Sequence, residues 1–74
     1  MDIIVYTKQR CPYCVSAKTW LNQRNYDYTE ISLDEPAIRE AFKNKYPDLK
    51  TVPQIFVDDN NIGGFSELIE SRLA

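Results

Sequence analysis

Residues 3–6, Ile-Ile-Val-Tyr, form a continuous apolar run that favours an extended strand. A strand without polar alternation is typical of a sheet covered on both faces, so this segment needs helices on both sides. A chain of 74 residues buries only about 60% of its unfolded surface, which leaves room for a single core. These constraints favour an α/β domain built around one sheet.

The next signals along the chain predict a helix followed by a second strand. Pro12 suits the first turn of a helix, and Asn25 suits its end. The apolar residues between them recur at helical spacing on one inward stripe: Cys14, Ala17 and Leu21. Residues 26–32 are rich in Tyr, Thr and Ile and predict a strand, which a right-handed crossover pairs in parallel with the first.

A second helix is predicted next. Asp34 can cap its first turn, Pro36 is tolerated within that turn, and Pro47 ends the helix. Its apolar residues recur every four positions on one face: Ile38, Phe42 and Tyr46.

The last third of the chain predicts a hairpin and a final helix. Residues 54–58 predict a strand, Asp59-Asn60 a two-residue turn, and residues 61–63 a short returning strand. Ser66 is predicted to cap the final helix. The residues predicted to be buried by that helix are Leu68, Ile69 and Leu73.

The predicted order of elements is therefore β-α-β-α-β-β-α. The first three elements favour parallel pairing and the last hairpin is antiparallel, so we expect one mixed four-stranded sheet with three helices on its two faces. We expect this α/β fold to form a single domain over residues 1–74.

Composition and charge exclude several classes of protein. Hydrophobic residues make up 43% of the chain and the formal net charge is only −2, which is typical of a globular domain. The absence of a Lys/Arg-rich block argues against a nucleic-acid partner. No apolar run approaches the roughly 20 residues that span a bilayer, and Asp2 stands where a signal peptide carries positive charge. We therefore predict a cytoplasmic protein with no membrane partner.

Cys11 and Cys14 are the only cysteines, and the chain has no histidine. It cannot assemble the usual four Cys/His ligands of a zinc site, so we predict no metal. Two incidental core cysteines, or half of a metal site completed by another subunit, are alternative interpretations. Because the pair follows a predicted strand and opens a predicted helix, thiol–disulfide chemistry is the favoured interpretation.

The two cysteines are predicted to have different roles. Cys11 lies at the open end of the predicted helix, whereas Cys14 lies one turn deeper on the buried stripe, so Cys11 is the candidate nucleophile and Cys14 the resolving thiol. The helix N-terminus favours a thiolate at Cys11. Charges near in sequence agree, since residues 3–26 contain four cations and no carboxylate: Lys8, Arg10, Lys18 and Arg24.

Three segments together resemble the glutaredoxin family. Residues 6–14, which contain Cys-Pro-Tyr-Cys, look like the active-site segment of its dithiol members, within the thioredoxin-fold superfamily. Residues 51–57 are similar to the strand that binds substrate, and residues 62–68 resemble the loop that holds glutathione. The match covers essentially the whole chain and implies a thioredoxin-like fold.

The resemblance also implies a set of glutathione-binding residues. It implies a cis Val52–Pro53 bond that leaves the Val52 backbone free to pair with the substrate, with Lys8 meeting a glutathione carboxylate. The full implied set is Lys8, Tyr13, Thr51, Val52, Pro53, Gly64, Phe65, Ser66 and Glu67. When the resemblance is set aside, an ordinary solvent-exposed lysine is an equally good interpretation of Lys8, and a helix cap is an equally good interpretation of Ser66. Glu67 stands where the family commonly has aspartate, and Phe65 where it often has smaller or polar residues.

The implied activity is glutathione-dependent reduction of protein disulfides and glutathione mixed disulfides. Glutathione is then a reducing co-substrate, no cofactor is tightly bound, and the protein is a monomer, with ribonucleotide reductase as a possible acceptor. One alternative is a redoxin reduced by a thioredoxin-reductase-like flavoenzyme. Another is a module that binds a glutathione-ligated [2Fe–2S] cluster, although Pro12 and the second cysteine fit that class less well.

Overall fold

The computed structural model describes residues 1–71 and contains the predicted order of elements. The elements are β1 (Ile3–Thr7), α1 (Pro12–Gln23), β2 (Thr29–Ser32), α2 (Pro36–Lys45), β3 (Gln54–Val57), β4 (Asn60–Gly63) and α3 (Phe65–Glu70). The four strands form one sheet in the order β2-β1-β3-β4. β1 pairs in parallel with β2 and antiparallel with β3, and β3 pairs antiparallel with β4, so the predicted mixed sheet and α/β class are confirmed.

The apolar run in β1 is buried from both sides because the strand lies in the middle of the sheet. On one face, Val5 and Ile55 pack with residues of α1 and α3, among them Leu21 and Leu68. On the other face, Phe56 and Phe42 of α2 form a second cluster with Leu33. Within residues 1–71, no helix is both long and apolar enough to cross a bilayer.

The inward stripe of α1 is confirmed, since Cys14, Ala17 and Leu21 are all buried. The apolar face predicted for α2 is only partly correct: Phe42 is buried, whereas Ile38 is 39% exposed. The predicted second strand is shorter than expected, because Tyr26 and Tyr28 pack against the core before pairing begins at Thr29.

The predicted cap of α2 is wrong. Glu35, not Asp34, occupies the N-cap position, and its side chain makes no capping hydrogen bond. The Asp34 carboxylate instead accepts hydrogen bonds from the Gln9 amide at 2.9 Å and the Ser32 hydroxyl at 3.2 Å. A contact with the loop after β1, distant in sequence, thus replaces the local cap.

Two further boundaries differ from prediction by one or two residues. The hairpin turn is Asp58-Asp59, both with positive φ (49° and 69°), rather than Asp59-Asn60. Gly64, not Ser66, is the N-cap residue of α3, and its backbone amide donates a hydrogen bond to the Glu67 carboxylate. The predicted burial of Ile69 is also wrong, and Leu73 lies outside the described residues.

The adjacent residues Leu68 and Ile69 test how α3 contributes to stability. Leu68 is fully buried, whereas Ile69 is 46% exposed. Leu68→Ala should lower the free energy of unfolding by about 3 kcal/mol, because it removes a buried side chain and leaves a cavity. Ile69→Ala should cost less than about 1 kcal/mol. Urea denaturation measures both, and equal losses would contradict the observed packing of α3.

Candidate dithiol site and adjoining surfaces

Cys11 and Cys14 form a disulfide at the junction between β1 and α1, with their Cα atoms 5.2 Å apart. Arg10, with φ of 57°, turns the chain between the two elements, and Cys11 is the N-cap residue of α1. Cys11 is half-buried, whereas Cys14 is only 2% exposed. The structure therefore has the asymmetry that the sequence predicts, with an accessible first sulfur and a buried second one.

The sulfur of Cys11 accepts a hydrogen bond from the first turn of α1. The Cys14 amide donates to Cys11 Sγ at 3.1 Å, so the sulfur occupies the position of a capping oxygen. On its other side, Cys11 Sγ lies 3.7 Å from the carbonyl oxygen of Val52. An anion at this sulfur would gain from the donated N–H and from the dipole of a 12-residue helix.

A depression of about 690 Å³ beside both cysteines contains charges of both signs. Its cations are Lys8, Arg10 and Lys18, and its carboxylates are Glu30 and Asp34. These carboxylates come from β2 and the turn after it, so a prediction that considers only residues near the cysteines in sequence does not include them.

Among residues 1–71, Glu30 is the carboxylate of this depression that forms an ion pair. It accepts a hydrogen bond from the Thr7 hydroxyl at 2.7 Å and forms an ion pair with Lys18 Nζ at 3.0 Å. These two contacts, with the Thr7 bond the larger cause, lower the pKa of Glu30 from its ordinary value near 4.5. The Lys18 charge is thereby largely compensated.

The cation excess that the sequence suggests around Cys11 is therefore smaller in the folded protein. Arg24 lies at the opposite end of α1, with its guanidinium 4.0 Å from the centre of the Trp20 ring. Lys18 is paired with Glu30. Among residues 1–71, Lys8 and Arg10 are therefore the two cations of this depression that form no ion pair with a carboxylate.

A groove of about 460 Å³ runs from α1 to the start of α3. The rings of Tyr13 and Phe65 stack across it, with their centres 6.2 Å apart. The groove brings together all the predicted glutathione residues except Lys8: Tyr13, Thr51, Val52, Pro53, Gly64, Phe65, Ser66 and Glu67. Lys8 lies outside the groove and lines the depression beside the cysteines.

The Val52–Pro53 peptide bond is cis, as the resemblance to the glutaredoxin family implies. The buried side chain of Gln54 supports it by donating to the Thr51 carbonyl oxygen at 3.0 Å. Asn61 of β4 in turn donates to the Gln54 side-chain oxygen at 3.1 Å. Sequence reasoning missed these two supporting residues; a polar side chain inside a predicted strand was the available signal for Gln54.

Glu67 bonds within its own chain at the end of this groove. Its Oε1 accepts a hydrogen bond from the Gly64 amide at 2.7 Å. The approach is close: a Cβ atom added to Gly63, which has φ of +109°, would lie 2.7 Å from Glu67 Cγ. The glutamate therefore caps α3 and occupies one backbone donor of the predicted glutathione loop.

Comparison with known proteins agrees with this geometry. The glutaredoxin family model matches residues 3–62. The chain is also 43% identical over 70 residues to glutaredoxin 1 of Rickettsia conorii, covering 92% of this chain and 69% of that protein. The chain belongs to the glutaredoxin family.

Two solved structures extend the comparison. The glutaredoxin–glutathione complex of buckwheat has a TM-score of 0.81 at 28% identity, with 93% of this glutaredoxin and 66% of that chain covered. NrdH-redoxin of Escherichia coli, a glutaredoxin-like protein with a thioredoxin-like activity profile, has a TM-score of 0.81 at 27% identity, with 100% and 96% covered. The thioredoxin-like fold is confirmed, and this glutaredoxin is a thiol–disulfide oxidoreductase by family.

The Glu30 contacts predict a pH-dependent contribution to stability. Since folding lowers its pKa, charged Glu30 stabilises the protein above about pH 4.5, and this contribution is lost as the pH falls through the lower folded value. Glu30→Gln should reduce the free energy of unfolding at pH 7 by about 0.5 kcal/mol, as the pair is partly exposed. The difference from wild type should approach zero near pH 2.

Urea denaturation at several pH values measures this effect. Glu40→Gln on α2 removes the same charge at another exposed position and serves as the control. Its effect should stay within about 0.3 kcal/mol throughout. A constant Glu30→Gln effect from pH 7 to pH 2 would contradict a role for the charged carboxylate.

Proposed function

We propose that the protein reduces protein disulfides and glutathione mixed disulfides, with Cys11 as nucleophile, Cys14 as resolving thiol and glutathione as reductant. The observation that carries this proposal is the position of the sulfur of half-buried Cys11. It accepts a hydrogen bond from the Cys14 backbone amide at 3.1 Å and lies 3.7 Å from the carbonyl oxygen of Val52, a residue that lines the groove. On family grounds, ribonucleotide reductase is a candidate protein acceptor.

The reaction begins with the reduced protein. The Cys11 thiolate attacks one sulfur of the substrate disulfide, that bond breaks, and the departing thiolate takes a proton from water. Cys14 then loses its proton and attacks Cys11 Sγ, which releases the second substrate thiol and forms the Cys11–Cys14 disulfide. One glutathione thiolate opens this disulfide at Cys11, and a second attacks the resulting adduct, so that oxidised glutathione leaves and both cysteines are reduced.

A stabilised Cys11 thiolate serves the second half of this cycle more than the first. A free thiol with pKa near 8.5 is already about 3% ionised at pH 7, so complete ionisation gains at most about 30-fold. Lowering the pKa by about 3 units costs a similar factor in nucleophilicity when the Brønsted slope is about 0.5. A thiolate of low pKa leaves a mixed disulfide faster, however, so the helix N-terminus mainly accelerates turnover.

Glutathione fits the groove by its chemistry. Tyr13 and Phe65 supply flat apolar walls, Val52 supplies backbone groups for pairing with the peptide, and the Gly64 end supplies backbone and carboxylate groups for the γ-glutamyl end. Similarity to the buckwheat glutathione complex supports this assignment. Lys8, beside Cys11 in the adjoining depression, is proposed to meet the other carboxylate.

Single-cysteine variants test the two roles. Cys14→Ser should retain at least about half of the activity on a glutathionylated peptide, because removal of one glutathione needs only Cys11 and a second glutathione. Cys11→Ser should lose all turnover, a reduction of more than about 1,000-fold. The glutathione-coupled assay with glutathione reductase measures both, and full deglutathionylation by Cys11→Ser refutes the assignment.

A second reductant is favoured by one contact. Because Glu67 already bonds the Gly64 amide, glutathione must compete with this cap for one of its donors. The similarity to NrdH-redoxin also supports a redoxin that draws electrons from a thioredoxin-reductase-like flavoenzyme. We keep this as the alternative function of the same dithiol.

Turnover of one mixed disulfide with each reductant separates the two functions. We expect the glutathione-coupled rate to exceed the flavoenzyme-coupled rate by at least about tenfold, because the aromatic walls and backbone groups of the groove suit a small peptide such as glutathione. Glu67→Ala serves as the internal comparison: it removes the carboxylate proposed to meet the γ-glutamyl end, so it should raise the KM for glutathione and leave the flavoenzyme-coupled rate within about twofold of wild type. A higher flavoenzyme-coupled rate with no saturation by glutathione selects the alternative.

A further inference from the structure

A cleft of about 550 Å³ opens between α2 and the segment before β3. Four cations line it, and we call it the cationic cleft: Lys8, Arg39, Lys43 and Lys50. The three lysines are exposed and Arg39 is half-buried. Apolar side chains such as Phe42 and Leu49 form the rest of its wall.

The charge of this cleft contrasts with that of the chain. Acidic residues outnumber basic ones by 11 to 9 overall, yet no carboxylate is among the described residues that line the cleft. Within residues 1–71, the only ion pair joins Lys18 to Glu30, so the four cations have no carboxylate partner there. Such a concentration of one sign raises the local concentration of an opposite charge.

The cationic cleft adjoins the dithiol. Lys8 lines both the cleft and the depression that contains Cys11 and Cys14. Val52 lines both the cleft and the groove, and its carbonyl oxygen lies 3.7 Å from Cys11 Sγ. A polypeptide whose disulfide reaches Cys11 therefore has the cleft within reach of its neighbouring side chains.

Glutathione alone does not account for four cations. It has two carboxylates, and the proposed function assigns its γ-glutamyl end to the side of the groove at Gly64. One carboxylate then remains, which the proposed function assigns to Lys8, and the Arg39 guanidinium donates to the Leu33 carbonyl oxygen at 3.4 Å. Lys43 lies one helical turn beyond Arg39 on α2, and Lys50 follows that helix, which leaves both without a charge to meet.

We propose that the cationic cleft binds acidic side chains next to the disulfide of a protein substrate, with Lys43 and Lys50 as specificity-determining residues. This inference rests on the proposed function and narrows its substrate class to disulfides in acidic segments. Because exposed charges are screened over about 8 Å at physiological salt, the preference should be strongest at low ionic strength.

The test is single-turnover reduction of three disulfide peptides by the pre-reduced full chain, followed by acid quench and mass analysis. The peptides are identical except for flanking residues, which are Glu, Gln or Lys. At low ionic strength, wild type should reduce the Glu peptide about tenfold faster than the Gln peptide and the Lys peptide more slowly still. At high salt, the ratio should fall to about 2 or less.

Charge-reversal variants locate the effect. Lys43→Glu and Lys50→Glu should each reduce the preference for the Glu peptide over the Gln peptide about threefold or more. Lys45→Glu is the matched control: Lys45 is exposed on the same helix and its reversal changes net charge equally, but it lies outside the cleft, with its ammonium 5.4 Å from the Tyr46 ring centre. This variant should retain the wild-type preference. Urea midpoints check that all three variants are folded.

The outcomes separate the inference from the function on which it rests. Equal wild-type rates for the Glu and Gln peptides overturn the inference, and so does a loss in Lys45→Glu as large as that in Lys43→Glu. In either case, reduction of the Gln peptide leaves the proposed function standing. If reduced wild type leaves all three peptides oxidised, the proposed function itself fails.

Discussion

The hydrogen bond from the Cys14 amide to Cys11 Sγ links the fold to the chemistry. It exists because β1 ends at Thr7 and Cys11, four residues later, is the N-cap residue of α1, so the Cys11 sulfur replaces the oxygen that usually caps a helix. Burial of β1 between two apolar clusters positions the end of that strand. The position of the Cys11 sulfur thus depends on long-range packing as much as on the four-residue motif that contains it.

The surfaces around Cys11 divide recognition into parts. The groove at Tyr13 and Phe65 offers aromatic walls and backbone groups, whereas the cationic cleft offers charge. The depression beside the cysteines carries both signs, because Glu30 compensates Lys18. The uncompensated cations of the cleft and the compensated charges of the depression therefore lie on different surfaces around the Cys11 sulfur.

Periodicity and turn chemistry were sufficient to predict the order of elements, the parallel pairing of the first two strands, the antiparallel hairpin and the buried stripe of α1. Local capping signals were less reliable, since Asp34 bonds the Gln9 amide and Gly64 takes the position predicted for Ser66. The Asp34 difference arises from a partner that is distant in sequence, whereas the Gly64 cap depends on the local residue Glu67. The charge around Cys11 was misjudged because distant residues again contribute: the carboxylates that balance it come from β2 and the turn after it.

The predicted glutathione residues other than Lys8 converge because the first turn of α1, the segment before β3 and the start of α3 all line the groove, but convergence alone does not determine affinity. Glu67 is long enough to return to the Gly64 amide and cap the six-residue helix α3. A ligand that takes this donor must offset the lost cap, whereas a polypeptide that pairs with Val52 and meets the cationic cleft leaves the cap intact. Under the proposed function, the Glu67 cap thus opposes glutathione at one end of the groove and leaves a protein disulfide with acidic surroundings unaffected.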